Sequence, residues 1–382
     1  MKKVALYPYN KITQGIVRFR DLTDFSIQAV IDFVVHRGED VGQVMEGKPY
    51  GIPITDNLEQ ALGSVSTLIL NDPGTAFGNN EGVYSRYNLK DLWKLLVQTA
   101  YENNIRVVSV HEIIDQDTLA WLKEKQINIH VDPQIPASLE QRLDEEYAIP
   151  PNDEVSVYLN YFALDHKILN FNRNICKIGI FATRGCLGKF TTQMTLLREL
   201  RRLGQKTKAM ITEPTATLFN QPGGDIMKFI AKRRLAQYPY YIHAAVREAE
   251  LAGNDFFLLA GQGSLLPNEN FVIASTKVSY LRAFQPDAAL LIAGYDDDEQ
   301  IRDCMDLLRI YGNGSRPFAL LIPNKVEVGY DKYLVKTEEE ISLRKEQLKR
   351  KFGIEHVECV LDAHKLAGPL IQFRALSEAK SR

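Results

Sequence analysis

Residues 177–204 constrain this chain more than any other stretch. They read KIGIFATRGCLGKFTTQMTLLRELRRLG. Ile178 to Phe181 form a short apolar run of strand type, and Thr183 to Lys189 a small loop containing glycine. Thr191 to Leu203 then show helical spacing, with Leu196, Leu197, Leu200 and Leu203 on one side and Arg198, Glu199, Arg201 and Arg202 on the other. Strand, glycine loop ending in Gly-Lys, helix is the order of a phosphate-binding loop. Backbone N–H groups and the positive end of the helix dipole face an anion there, and a lysine reaches the outer phosphates. The predicted phosphate contacts are Thr183, Arg184, Gly185, Cys186, Leu187, Gly188, Lys189, Phe190, Thr191 and Thr192.

The loop departs from the usual pattern. Thr183 stands where a glycine normally opens it, and Gly185 follows two residues later. The residue after the lysine is Phe190 rather than the Ser or Thr whose hydroxyl binds Mg²⁺; Thr191 and Thr192 come next. Arg184 could clamp a phosphate or a carboxylate in bidentate fashion. Cys186, beside a helix start that lowers a thiol pKa, has no histidine near it in sequence, and its small size alone suits a tight loop.

The chain has 382 residues, room for two domains of ordinary size, and 45% hydrophobic with 25% charged residues is a globular composition. With 46 basic and 48 acidic side chains the net charge is −2, which gives no electrostatic argument for nucleic acid or an anionic membrane. The four cysteines show neither metal-ligand spacing nor a disulfide framework, and no metal is expected to be held by the chain. No apolar run reaches signal-peptide or membrane-span length, so a reducing cytoplasm is the expected location.

Residues 1–150 read as an amino-terminal α/β domain. Strand candidates at Val4–Tyr7, Ser66–Leu70, Arg106–Val110 and Ile127–Val131 alternate with helix candidates at 58–62, 89–101 and 118–125, while 27–35 fits either state. Such alternation predicts a parallel, doubly wound, Rossmann-like sheet, whose ligands lie beyond the carboxyl ends of the strands. Asn71, Asp72, Gly74 and His111 fall at such ends and are candidate substrate contacts, although turn and cap roles would place the same residue types there. Residues 132–155, with four prolines and an acidic cluster, are the linker candidate.

Residues 151–382 read as the phosphate-loop domain, a second parallel α/β sheet. A strand at Lys208–Thr212 leads into Glu213, the acid best placed for proton transfer or Mg²⁺, or else a turn cap. The strand at 255–260 ends in Ala260 where such enzymes carry an acid, and runs into Gly261-Gln262-Gly263-Ser264. Gln262 and Ser264 are neutral groups suited to orienting a substrate. Lys189, Glu213, Gln262 and Ser264 form the predicted catalytic set. Asp296, Asp297 and Asp298 have the look of a carboxylate cluster for a metal, but read better as a solvated cap on the helix from Glu299 to Leu308. Glu338 to Lys351 is a charged surface helix.

GCLGKFTT (185–192), AGQGSLLP (260–267) and QPDAALLIAG (285–294), in that order, resemble the carboxyl-terminal domain of the D-glutamate N-acetyltransferase-like family, long one of unknown function. YGIPITDNLEQAL (50–62), NIRVVSVHEII (104–114) and HVDPQIP (130–136) extend the resemblance over most of the chain. It implies a Rossmann-like domain followed by a phosphate-loop domain, and acetyl transfer from acetyl-CoA to an acidic amino acid. Lys189, Thr191, Thr192, Gln262 and Ser264 match the family pattern; Ala260, Cys186 and Leu266-Pro267 depart from it, which marks a divergent branch.

The expected function is transfer of a phosphoryl or acyl group to a small carboxylate or amino acid, with either ATP and Mg²⁺ or acetyl-CoA as donor. Phe190 and Ala260 suit the CoA form better. A binding protein without turnover is the alternative, and a purely structural subunit a third reading. A homo-oligomer acting on a small molecule is expected, with neither nucleic acid nor membrane as partner.

Overall fold

The computed structural model describes residues 1–71, 86–133, 135–146, 175–232, 234–266, 271–312, 314–329 and 332–381. They form two compact units, 1–134 with 214–220, and 135–213 with 221–382.

The first unit is built on a parallel sheet of β1 (Lys2–Tyr7), β2 (Phe25–Ile31), β3 (Ile54–Thr55), β4 (Thr67–Leu70), β5 (Arg106–Ser109) and β6 (His130–Val131). Their order is β3-β2-β1-β4-β5-β6, the doubly wound order with its switch point between β1 and β4. The strands are apolar in runs because a sheet with helices on both faces buries both sides. Helix Leu89–Glu102 shows how the pattern is read. Trp93, Leu96, Val97 and Ala100 recur at helical spacing and are all buried, and the Asn88 side chain accepts from Asp91 N to start the helix. Trp93 meets Trp121 edge-on, 6.4 Å between centroids.

The ambiguous 27–35 stretch is strand only to Ile31, and β6 is two residues where 127–131 was expected. Helices Lys11–Arg18 and Val41–Glu46 span about two turns or fewer, too short a window for period to single them out. They are set instead by caps, with Asn10 accepting from Thr13 N and Asp40 accepting from Gly42 N and Gln43 N.

Asp115 caps helix Gln116–Glu124, and the ammonium of Lys90 stands 2.7 Å from it. That ammonium, with the Thr118 hydroxyl and N–H, lowers the Asp115 carboxyl to about 2. A depressed carboxyl stabilises the folded chain above its unfolded value and loses that contribution as pH falls through the folded one. Carboxyl NMR titration is expected to give an Asp115 midpoint near 2 in the native protein. Substitution of Lys90 by Met should move that midpoint up toward about 3.9. A midpoint already near the ordinary value in the native protein would contradict this ion pair.

The second unit's sheet is parallel too. It contains β7 (Cys176–Ala182), β8 (Thr207–Met210), β9 (Phe256–Ala260), β10 (Ala288–Ile292), β11 (Pro317–Ile322) and β14 (His356–Cys359), in the order β14-β11-β10-β7-β9-β8. β12 (Lys325–Gly329) and β13 (Lys332–Val335) make a separate antiparallel hairpin. β7 is central and buried throughout, so its carboxyl end is held by a neighbour on each side. Helix Glu338–Phe352 has the expected charged face, a Thr337–Glu340 capping box, acids at its start and bases at its end.

The stretch expected to link the domains contains a helix, Ala137–Glu146, whose Leu139 and Leu143 are buried in the second unit's core together with Ile135. The boundary therefore falls at 134/135 rather than at 150. Two leucines four apart pin a helix that prolines and acids otherwise disguise. Residues 214–220 group with the first unit, where the Thr217 hydroxyl donates to Asp132. Residues 147–174 lie outside the described residues.

Candidate phosphate-binding site

β7 delivers the loop. The N–H of Thr183 donates to the carbonyl of Ile292 at 3.0 Å, which continues the β7–β10 pairing one residue past the strand. The Thr183 side chain then turns to Asp297, its hydroxyl donating to Oδ2 at 2.5 Å. The same oxygen accepts Arg184 Nε–H at 3.1 Å and the N–H of Gly294 at 2.9 Å. A side chain at Gly294 would displace the Arg184 and Asp297 side chains from this arrangement. A Cβ there would stand 2.1 Å from Arg184 Nη2 and 2.7 Å from Asp297 Oδ2.

Asp297 is thus not part of a solvated cap. It occupies the N-cap position of helix Asp298–Tyr311, but its side chain makes no capping bond; it is 7% exposed and ties the phosphate loop to the loop after β10. Asp298, beside it, pairs with Arg344 and Lys351. The sequence could not separate the three aspartates, because only the β7–β10 pairing decides which one faces Thr183.

Arg184, Gly185 and Cys186 form the exposed tip. Cys186 has φ 57°, and a Cβ added to Gly185 would touch nothing within 4 Å, so the tip is open. Gly188 has φ 102° and is the N-cap of helix Lys189–Arg202, with no side chain capping the helix start. A Cβ at Gly188 would come within 2.8 Å of Val360 Cγ1. Both the left-handed backbone and the close approach require glycine there. The helix is then anchored from below by Gln193, whose Nε2 donates to the carbonyls of Met210 (2.7 Å) and Leu258 (3.2 Å). Thr191 and Phe190 are partly exposed at the helix start, whereas Thr192 is fully buried, so its hydroxyl faces the interior.

Glu213 is the acid coupled to this helix start through Lys189. Glu213 keeps solvent-exposed surface, yet crowding by protein raises its carboxyl pKa; the charge of Lys189 opposes that rise and the charge of Asp225 adds to it. Asp225 Oδ1 accepts from Gln262 Nε2 at 3.0 Å, and Gln262 Oε1 accepts from Ile226 N at 3.0 Å. Gln262 therefore positions Asp225 rather than presenting a free amide. The Ser264 hydroxyl is buried, donating to Thr183 O at 2.9 Å with Leu266 O at 3.1 Å. Its place is that of a brace under the loop.

The second unit thus brings together the loop residues, Lys189, Glu213, Gln262 and Ser264. Asn71 and His111 belong to the first unit, at the carboxyl ends of β4 and β5. Asn71 is buried, with Nδ2 donating to Thr13 Oγ1 at 2.6 Å. The carbonyl of His111 accepts from Ser109 Oγ at 2.7 Å. Asp72 and Gly74 lie outside the described residues, as does Pro267. Asp225, Asp297, Lys277 and Tyr280 were missed. Asp297 reaches the loop only because β10 pairs with β7, Asp225 through its bond from Gln262, and Lys277 and Tyr280 from helix Phe271–Phe284.

A phosphate group fits this arrangement, with a glycine cap, an uncapped helix start, an open tip and a lysine on the first turn. A Mg²⁺ ion held by side chains does not fit as well. Phe190 supplies no hydroxyl, Ala260 ends β9 without a carboxylate, and no group of three metal-ligating side chains occurs among the described residues.

Comparison with known proteins agrees with this geometry. Residues 171–309 match the model of the P-loop domain of DUF1611, a domain of unknown function. A DUF1611 family protein from Anabaena variabilis shares the fold. Its TM-score is 0.65 at 16% identity, covering 98% of this chain and 100% of that one. A LAO/AO transport system kinase superposes with a TM-score of 0.37 at 13% identity, covering 71% and 80% of the two chains. A nucleotide-binding protein in complex with ADP from Archaeoglobus fulgidus does so with a TM-score of 0.30 at 15% identity, covering 53% and 91%. A search of the curated proteins finds no match. The second unit is a P-loop domain, following a Rossmann-like one. No described helix is long and apolar enough to cross a membrane.

Proposed function

We propose that the second unit binds the phosphates of a donor at residues 183–192 and transfers an acyl or phosphoryl group to a small carboxylate or amino acid. Acetyl-CoA is the favoured donor, and an acidic amino acid, as the family resemblance implies, the favoured acceptor. The observation supporting this reading is the pairing of a loop that ends in the left-handed Gly188 and Lys189 at an uncapped helix start with Phe190 and Ala260 at the two places where metal ligands normally stand. CoA phosphates need the cradle and no metal. ATP would have to bring Mg²⁺ held by its own oxygens and by water.

In this reading Lys189 and the helix dipole hold phosphate charge. Glu213, with a raised pKa and a place within the field of Lys189, takes the proton released by the attacking acceptor group. The charge of Asp225, itself held by Gln262, adds to the rise of the Glu213 carboxyl. A second reading, a binding protein without turnover, draws on the same two replaced metal positions. The homo-oligomer is likewise proposed.

Thermal unfolding with ATP, ADP, each with and without Mg²⁺, and acetyl-CoA tests the donor. A ligand at ~100 times its dissociation constant stabilises by about 2.7 kcal/mol. A rise with acetyl-CoA and none with ATP is expected. A Mg²⁺-dependent rise with ATP alone would overturn the CoA assignment, and no rise with any of them would overturn phosphate binding.

A further inference from the structure

Four strands of the second unit end level with one another. Ala182, Ile292, Leu321 and Glu358 stand in register across β7, β10, β11 and β14, so the carboxyl ends of these strands share one edge with the phosphate loop. β14 runs straight into Val360, whose Cγ1 would lie 2.8 Å from a Cβ on Gly188. The turn after β14 therefore touches the glycine that opens helix Lys189–Arg202. Leu361, the next residue, is 51% exposed.

Asn324 and Lys325 follow β11 on this same edge, two strands from β7, which is about 10 Å at the usual strand spacing. The main chain there is fixed. The carbonyl of Asn324 accepts from Lys336 N at 2.9 Å and closes the base of the β12–β13 hairpin. The side chains take no part in this. Asn324 is half-buried and Lys325 exposed, and neither side chain has a hydrogen bond or an ion pair among the described residues. An asparagine in a turn ordinarily bonds nearby main chain; here its amide is left for another partner.

We propose that Asn324 and Lys325 receive the purine base of the ligand whose phosphates lie at residues 183–192. The ligand class is a purine nucleoside 5′-diphosphate, the portion that ADP and CoA have in common. A purine offers an acceptor at N7 beside a polar group at position 6. The Asn324 amide matches both in adenine, donating to N7 and accepting from the 6-amino group, and donates to N7 or the 6-oxo group of guanine. A pyrimidine has no such edge. The Lys325 stem and Leu361 offer apolar surface to a base, and a ribose with its phosphates spans the two strand spacings back to the loop. The subsite rests on the phosphate binding proposed above, and is indifferent to which group is transferred.

The test titrates the full chain with pyrophosphate, ADP, GDP, UDP and acetyl-CoA, all without Mg²⁺, by isothermal calorimetry. ADP or GDP is expected to bind at least about tenfold more tightly than UDP, the discrimination of one bidentate side chain on a base edge, and the tighter of the two names the base. Asn324→Ala should bring the purine nucleotides to the affinity of UDP, weaken acetyl-CoA to a similar degree, and leave pyrophosphate unchanged. Asn324→Asp keeps the turn chemistry of asparagine but cannot donate to N7, and should lose the purine preference too. Pyrophosphate binding with UDP as tight as both purine nucleotides, or variants that keep the native preference, would overturn the base subsite and leave the phosphate reading standing. No binding of pyrophosphate or of any nucleotide would overturn both.

Discussion

Replacing Lys189 with alanine is expected to abolish turnover and leave the fold intact. Lys189 is the first residue of helix Lys189–Arg202, directly after the Gly188 cap, and is partly exposed. Its charge reaches Glu213, so one side chain serves both the phosphate and the acid beside it. Removing one group that stabilises developing or bound charge costs about 100- to 1000-fold in rate. The fold should barely notice, because alanine is a strong helix former and a partly exposed substitution changes stability by about 0.5 kcal/mol or less. The decisive comparison is kcat beside the thermal midpoint of the same preparation. Full activity in Lys189→Ala would refute the role given to Lys189 and the phosphate loop in turnover, and the binding reading would gain if donor affinity fell while no product formed in either protein. Glu213→Gln separates the two roles. It should keep donor affinity and lose the proton-accepting step, since glutamine preserves the shape and removes the base.

Replacing Asp297 with alanine should act on stability first. Its Oδ2 accepts from the Thr183 hydroxyl, the Gly294 N–H and Arg184 Nε. Thr183 and the Gly294 N–H are buried, and a buried donor left unsatisfied costs on the order of 1–3 kcal/mol. Two such groups put the expected loss at about 3 kcal/mol, with Arg184, more than half exposed, adding little. Both tryptophans, Trp93 and Trp121, lie in the first unit, so their emission reports on that unit while far-ultraviolet circular dichroism follows both. The dichroism transition in urea should move to lower denaturant and the tryptophan transition should move less. A loss below about 0.5 kcal/mol would show that the three donors find other acceptors. Donor affinity should fall as well, because Thr183 and Arg184 enter the phosphate loop from this anchor. Asparagine at 297 keeps one acceptor oxygen and should lie between the two.

Much of the fold was legible because it rests on local rules. Alternating apolar strands and amphipathic helices announce two parallel α/β sheets, and a buried strand such as β7 needs only its own apolar run to be seen. The phosphate loop was legible for the same reason, since Gly188 and Lys189 act through backbone conformation and position in one contiguous stretch. The position of Glu213 just past β8 was legible too, while its part in proton transfer belongs to the proposed function.

What the sequence left open depends on which strands lie side by side. Chain order puts β10 far from β7, yet the sheet makes them neighbours, and that pairing turns Asp297 from one of three consecutive acids into the anchor of the loop. Ser264 and Gln262 were legible as polar groups of a glycine-flanked loop, but not their partners. The β7–β9 pairing brings Ser264 under Thr183 and sets Gln262 against Asp225. Helix Ala137–Glu146 was hidden among prolines because only two of its leucines meet a core, and the core belongs to residues distant in sequence. Tyr280 and Lys277 stand on a helix of weak amphipathicity, where no period distinguishes a residue facing a cavity from one facing a sheet. Local chemistry thus determined the sheets and the phosphate loop by itself. The tertiary structure decided which side chains face that loop, because hydrogen-bond partners across a parallel sheet follow strand order, and strand order is written in no single segment.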